Sequence, residues 1–150
     1  MEYTEKHLKL LIEGKLSSDM LHEVQVSAKD ENRLEKIIKI EQGRVPWKEQ
    51  IILPLQEHLY IVKKGTEKII KCSCGFEFGD YKNNWKDNAL VYQRDTDESL
   101  QEVHKNARRA DPKQNVIREF YCAGCGTQLD VEAVPPGYPF IFSALPDLED

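Results

Sequence analysis

The chain has 150 residues, a length typical of one compact domain with appendages. Its 26 Asp and Glu residues outnumber 21 Lys and Arg residues, and the net charge of −5 disfavours a protein whose main task is to bind nucleic acid. The start of the chain lacks the basic, apolar pattern of a secretory signal, and no run reaches the roughly 18 apolar residues of a membrane span, so we expect a cytoplasmic protein without a membrane partner.

Three short amphipathic helices are predicted in residues 1–48, which form a helical N-terminal segment. Thr4 is suited to cap the first helix, and Gly14 stands where that helix would end. The second helix would begin near Ser17, and Asp30 is the predicted N-cap of the third. Because these helices combine apolar faces with charged backs, they would pack on one another or on a partner.

Residues 49–134 are predicted to form a β-rich domain. Runs of β-branched and aromatic residues predict strands near 51–53, 59–62, 68–71, 76–78, 89–92, 116–121 and 128–134. One inserted helix is predicted near 96–110, since acidic residues precede a narrow apolar stripe there. The predicted fold class is therefore α+β, with a zinc-ribbon-like region after the helices.

Residues 135–150 are predicted to form an irregular, Pro-rich docking arm. The segment has too many prolines for regular secondary structure and too many large apolar side chains for a solvated tail. Something must cover these side chains, and packing on its own domain or on a partner subunit explains them equally well.

Four cysteines occur as two tight pairs, Cys72/Cys74 and Cys122/Cys125, each followed by a glycine. In a reducing compartment such pairs predict metal ligands or redox thiols before disulfides. The two spacings let sulfurs from one turn occupy adjacent corners of a tetrahedron, and four cysteines leave no position for water or substrate. We therefore predict a closed structural zinc site, although iron held by the same four thiolates remains an alternative.

Redox chemistry is disfavoured for the second cysteine pair. Cys122 and Cys125 resemble a dithiol motif only in spacing, because a strand pattern follows them and no helix begins there to lower a thiol pKa. A phosphate-binding glycine loop, a serine-hydrolase elbow and paired catalytic carboxylates are all missing from the sequence. We predict no catalytic residue and no cofactor-binding residue in this chain.

A non-enzymatic zinc-ribbon module that binds nucleic acid or protein is the rival hypothesis. It would use exposed aromatic residues such as Tyr81 and Trp85. It would also use a basic cluster formed by Lys105, Arg108, Arg109 and Lys113. Ordinary structural roles compete with both assignments, since aromatics beside a small zinc site usually form its core and basic residues favour helix ends.

Several segments together resemble the acetone carboxylase gamma subunit family. They are Pro46-Trp47, Cys72-Ser73-Cys74-Gly75, and residues 51–55, 80–86, 116–127 and 130–133. The resemblance implies a small zinc-bearing subunit of an (αβγ)2 heterohexamer in which two larger subunits use ATP to convert acetone and bicarbonate to acetoacetate. It also implies that ATP, magnesium and manganese belong to the larger subunits. Only the four cysteines transfer to this chain, as zinc ligands, and the similar small subunit of acetophenone carboxylases leaves the ketone open.

Overall fold

The computed structural model describes residues 3–104 and 111–148. Within these ranges, three α-helices precede a four-stranded antiparallel sheet, and a fourth α-helix lies between the first two strands of a three-stranded antiparallel sheet, which confirms the predicted α+β class. The helices are α1 (Glu5–Ile12), α2 (Ser18–Val26), α3 (Arg33–Gln42) and α4 (Asp97–Val103), with a short 3-10 helix at Trp85–Asn88. The strands are β1 (Gln50–Gln56), β2 (Leu59–Lys64), β3 (Glu67–Cys72), β4 (Glu77–Asp80), β5 (Leu90–Arg94), β6 (Val116–Tyr121) and β7 (Gln128–Val134).

The N-terminal helices begin where capping chemistry predicts, with one exception. Thr4 and Ser17 accept hydrogen bonds from the first turns of α1 and α2. The prediction for α3 was wrong, because its N-cap is Asn32. The carboxylate of Asp30 is already used by tertiary contacts, accepting from the Tyr3 backbone N–H at 3.0 Å and from Lys36 Nζ at 3.1 Å.

The first sheet has the strand order β1-β2-β3-β4 and is buried on both faces at its centre. On one face Tyr60 and Val62 of β2 pack towards α3, while on the other Leu59 and Ile61 enter the main core. Since both faces are covered there, the first four residues of β2, Leu59 to Val62, form a continuous apolar run, and the strand ends in two exposed lysines. The β2–β3 hairpin turns at Gly65, whose φ of 63° favours glycine.

The second sheet has the order β5-β6-β7 and packs an aromatic core against β4 and the 3-10 helix. Phe78, Trp85 and Phe120 stack edge to face at centroid distances of 5.5 and 6.2 Å. Trp85 and Tyr81 are buried in this core, so they cannot form the exposed aromatic surface that the rival nucleic-acid hypothesis requires.

Helix α4 is the predicted insertion between the two cysteine pairs. Thr96 caps it, and Leu100 is its buried residue. The rest of the predicted span, with the basic residues Lys105, Arg108 and Arg109, lies outside the described residues. None of the helices in the described part of the chain is long and apolar enough to cross a membrane.

The C-terminal arm has no regular secondary structure, and its backbone is bound to its own domain. Arg118 donates to the carbonyl of Tyr138 at 2.6 Å, and Asn84 donates to that of Phe140 at 3.2 Å. The Phe140 ring packs edge to face on Phe120. The side chains of Tyr138 and Leu145 nevertheless remain 50% and 59% exposed. The arm is therefore fixed on one side and open on the other.

Candidate metal centre

Two similar backbone turns place the four cysteines at the tips of the β3–β4 and β6–β7 hairpins. In the first turn, Cys72 N–H donates to Phe76 O at 2.8 Å, and in the second, Cys122 N–H donates to Thr127 O at 2.9 Å. Gly75 and Gly126 have φ values of 104° and 73°, which only glycine adopts without strain. The glycine after each cysteine pair therefore closes each turn.

The four sulfur atoms lie within 4.8 Å of one another. Cys72 Sγ is 3.9 Å from Cys125 Sγ, and Cys74 Sγ is 3.7 Å from Cys122 Sγ. A tetrahedral zinc with Zn–S bonds of about 2.3 Å would separate its sulfurs by roughly 3.8 Å. The cluster could therefore hold a metal ion, and its dimensions fit zinc. It joins parts of the chain that are 48 residues apart.

Burial disfavours the thiolate form of two of the four cysteines. Burial raises the pKa of the Cys72 thiol to about 12, and burial also raises the pKa of Cys74. Hydrogen bonding to Thr127, whose Oγ1 lies 3.2 Å from the sulfur, lowers the pKa of Cys125 to about 7. Metal ligation requires thiolates. A cation is what would make ionisation of the buried sulfurs favourable.

Backbone N–H groups already point at two of the sulfurs. Gly124 N–H donates to Cys122 Sγ at 3.3 Å, and Phe76 N–H donates to Cys74 Sγ at 3.5 Å. Such donors stabilise thiolates and are typical of the shell around a metal–sulfur site.

Trp47 and His58, neither of which the sequence analysis placed at the cysteine site, hold the first turn in place. The Trp47 indole N–H donates to the carbonyls of Cys72 and Ser73 at 3.1 and 3.2 Å. The backbone carbonyl of His58, a residue with a φ of 66°, accepts a hydrogen bond from the Ser73 N–H at 2.9 Å. The ring Nδ1 of His58 also lies 3.1 Å from Ser73 Oγ. These contacts span 15 to 26 residues, so no local spacing could reveal them.

A cleft of about 590 Å³ borders the exposed thiols of Cys74 and Cys125. Ile12 and Ile37 of the helical segment line one wall, and Tyr60 lies on the sheet side. The cysteine cluster therefore lies beside the junction between the helices and the first sheet.

Gly124→Ala is expected to destabilise the metal-bound protein by about 1–3 kcal/mol, because overpacking displaces neighbouring atoms. A Cβ at this position would lie 2.9 Å from Phe76 Cβ and 3.3 Å from Cys74 Sγ. Thermal unfolding of the zinc-loaded variant measures the effect. Ala123→Ser, at the exposed neighbouring position, is the control. Equal melting temperatures for both variants would contradict this close approach of the two turns.

Comparison with known proteins gives concordant matches. The family model described as acetone carboxylase gamma subunit matches residues 45–150. The acetone carboxylase gamma subunit of Xanthobacter autotrophicus (strain ATCC BAA-1158 / Py2) is 40% identical over 151 residues, covering 99% of this chain and 90% of that protein. The acetophenone carboxylase beta subunit of Aromatoleum aromaticum (strain DSM 19018 / LMG 30748 / EbN1) is 31% identical over 78 residues, covering 51% of this chain and 60% of that protein.

Proposed function

The chain belongs to the acetone carboxylase gamma subunit family, and from this premise we propose that it is the small zinc-binding subunit of a cytoplasmic, ATP-dependent ketone carboxylase. The complex converts acetone plus bicarbonate to acetoacetate. Two larger subunits, in an (αβγ)2 arrangement, carry the ATP, magnesium and manganese chemistry. The chain itself contributes no catalytic residue and supports assembly of the larger subunits.

The observation that carries this role is the closed set of four cysteine ligands. Cys72, Cys74, Cys122 and Cys125 supply all four corners of a tetrahedron, which leaves zinc no open position for a substrate. When bound, zinc cross-links the β3–β4 and β6–β7 hairpins and neutralises their thiolates. Within this chain, Trp47 and His58 hold the first cysteine turn in place. The two hairpins connect the cysteine cluster to the two sheets.

A second candidate ketone is acetophenone, because the family resemblance extends to an acetophenone carboxylase subunit over about half of this chain. The match to the acetone carboxylase subunit covers 99% of the chain and favours acetone. Assaying the assembled complex with each ketone in turn distinguishes them. Carboxylation of acetophenone alone would overturn the assignment to acetone.

The exposed side of the C-terminal arm is proposed to contact a larger subunit. Deleting the chain after Val134 should weaken assembly, but it would also remove backbone partners of buried charges such as Arg118. The sharper variant is Tyr138→Ser with Leu145→Ser, since both side chains are at least half exposed and the Tyr138 carbonyl remains available to Arg118.

The double variant is expected to reduce the amount of co-purified larger subunits about tenfold, the effect of losing about 1.4 kcal/mol of binding free energy. Affinity purification after co-expression measures it. Val26→Ser on α2 is the matched control, because Val26 is 69% exposed and lies outside the residues matched by the family model. A fully active carboxylase assembled without this chain would refute the proposed function.

A further inference from the structure

The outer face of the second sheet carries apolar residues where a solvated sheet would carry polar ones. Val116, Arg118 and Phe120 of β6 point to the protein interior, so their neighbours Ile117, Glu119 and Tyr121 lie on the opposite face. Through the strand register, the outer face also includes Leu90, Tyr92 and Arg94 of β5, and Gln128, Val131 and Ala133 of β7. Six of these nine residues are apolar or aromatic, whereas a sheet with one wet face normally alternates apolar inside with polar outside.

Both flanking strands of this face carry apolar side chains that the described residues leave exposed. Leu90, Tyr92 and Val131 are 56%, 43% and 50% exposed. Helix α4 packs at one end, where Arg94 Nη1 donates to the carbonyl of Ser99 at 2.9 Å. We call Leu90, Tyr92, Tyr121 and Val131 the outer-sheet patch.

The polar side chains beside the patch already satisfy one another. Arg94 Nε donates to Glu119 Oε1 at 2.7 Å, and the Tyr121 hydroxyl donates to Glu119 Oε2 at 2.6 Å. Gln128 Nε2 donates in turn to the Tyr121 hydroxyl at 3.2 Å. A protein that covers the patch would therefore bury polar groups that already have partners, which lowers the cost of removing them from water.

The patch also reaches an edge strand of the sheet in the described part of the chain. β5 is an edge strand, and Leu90, Val91 and Tyr92 are all at least 40% exposed along it. Proteins normally protect such an edge with lysine, proline or a covering segment, because an apolar edge strand promotes association. β5 contains neither lysine nor proline. An edge of this kind is expected to be covered in the assembled state.

We propose that the outer-sheet patch is the surface on which an apolar face of a larger carboxylase subunit docks, an inference that rests on the proposed function. The family model spans residues 45–150 and so contains the whole patch, and both relatives are named as carboxylase subunits. A second copy of this chain is a poorer occupant, because two chains that each carry a net charge of −5 repel each other. This contact is separate from the one made by the arm, which packs on the opposite face of the sheet.

The test is Val131→Lys in the full chain, co-expressed with the larger subunits. Burying an added ammonium group at the contact, beside a Glu119 that Arg94 and Tyr121 already bind, should lower the recovery of complex at least tenfold. The zinc content and the melting temperature of the isolated chain should stay as in the original protein, because the lysine side chain extends into solvent there. Val26→Lys introduces the same charge at an exposed apolar site on α2 and should assemble normally.

Each outcome separates this inference from the proposed function. If the unmodified chain fails to co-purify with the larger subunits, the proposed function fails. If the unmodified chain and Val131→Lys both assemble fully, the patch is not the docking surface, although the proposed function stands. If the isolated chain is a dimer in light scattering and Val131→Lys makes it monomeric, the patch binds a second copy and the inference is overturned.

Discussion

Replacing Cys72 with serine is expected to abolish stoichiometric zinc binding and the cooperative unfolding of the β-rich domain. The Cys72 side chain is fully buried and lies 3.9 Å from Cys125 Sγ, so the variant would lose a ligand and place a hydroxyl in the core. Zinc binding free energy in such sites is also folding free energy, on the order of 10 kcal/mol in small zinc domains. Metal analysis by mass spectrometry and thermal unfolding in zinc-buffered solution measure the two effects.

Cys125→Ser separates the loss of metal from the insertion of a buried hydroxyl. Cys125 is exposed, so serine should be tolerated there in the metal-free chain, and the variant should show what metal loss alone costs. Ala123→Ser changes the same turn without removing a sulfur and should keep full zinc content. If Cys72→Ser bound one zinc per chain and assembled normally, the four-cysteine site would be wrong. If the unmodified protein contained stoichiometric iron, the zinc assignment would be wrong and the metal would be iron held by the same four thiolates.

Two helix caps and both cysteine turns could be predicted from the sequence, because each depends on residues that are close together in the chain. Thr4 and Ser17 cap helices because their side chains bond N–H groups three residues ahead, and the cysteine turns follow from spacing and glycine. The cap of α3 was mispredicted for the opposite reason. Asp30 is bound by the N–H of Tyr3, which is 27 residues away, so a tertiary contact outweighed a local preference.

The direction in which β7 faces could not be predicted from its alternation. The apolar set Leu129, Val131 and Ala133 would normally turn inward, yet Glu132 is buried and Val131 is half exposed. A register irregularity between Phe120 and Tyr121, next to the cysteine turn, accompanies this arrangement. The deciding factor is the partner of Glu132, since Lys86 and Arg118 lie on the inner side. Those partners are 46 and 14 residues away in sequence.

Glu132→Gln is expected to destabilise the protein by about 3–5 kcal/mol, the usual cost of removing one partner from a buried ion pair. Glu132 Oε1 lies 2.6 Å from Lys86 Nζ, and its Oε2 lies 2.6 Å from an Arg118 nitrogen. Glutamine keeps the shape but leaves two buried cations, of which only Lys86 keeps an acidic partner, Asp130. Urea unfolding of the zinc-loaded chain measures the change in free energy of unfolding.

Two further variants show whether the loss comes from charge. Adding Lys86→Met to Glu132→Gln restores the charge balance, since Arg118 and Asp130 remain, and should recover part of the lost stability. Glu5→Gln removes the half-exposed partner of Lys39 at the surface and should cost far less. Equal losses for Glu132→Gln and Glu5→Gln would show that burial of the cluster carries no special cost.

Glu132→Gln should loosen the C-terminal arm before it unfolds the rest of the domain. Glu132 Oε1 accepts the Ile141 N–H at 2.9 Å, Lys86 Nζ donates to the Ile141 carbonyl at 3.0 Å, and Arg118 binds the Tyr138 carbonyl. If the arm swung away, these buried charges would lose backbone partners, so the ion cluster holds the arm in one position. Glu132→Gln should therefore speed proteolytic cleavage within residues 135–148 and weaken assembly, although it changes no exposed side chain. Faster cleavage with undiminished assembly would show that the larger subunits do not need a fixed arm.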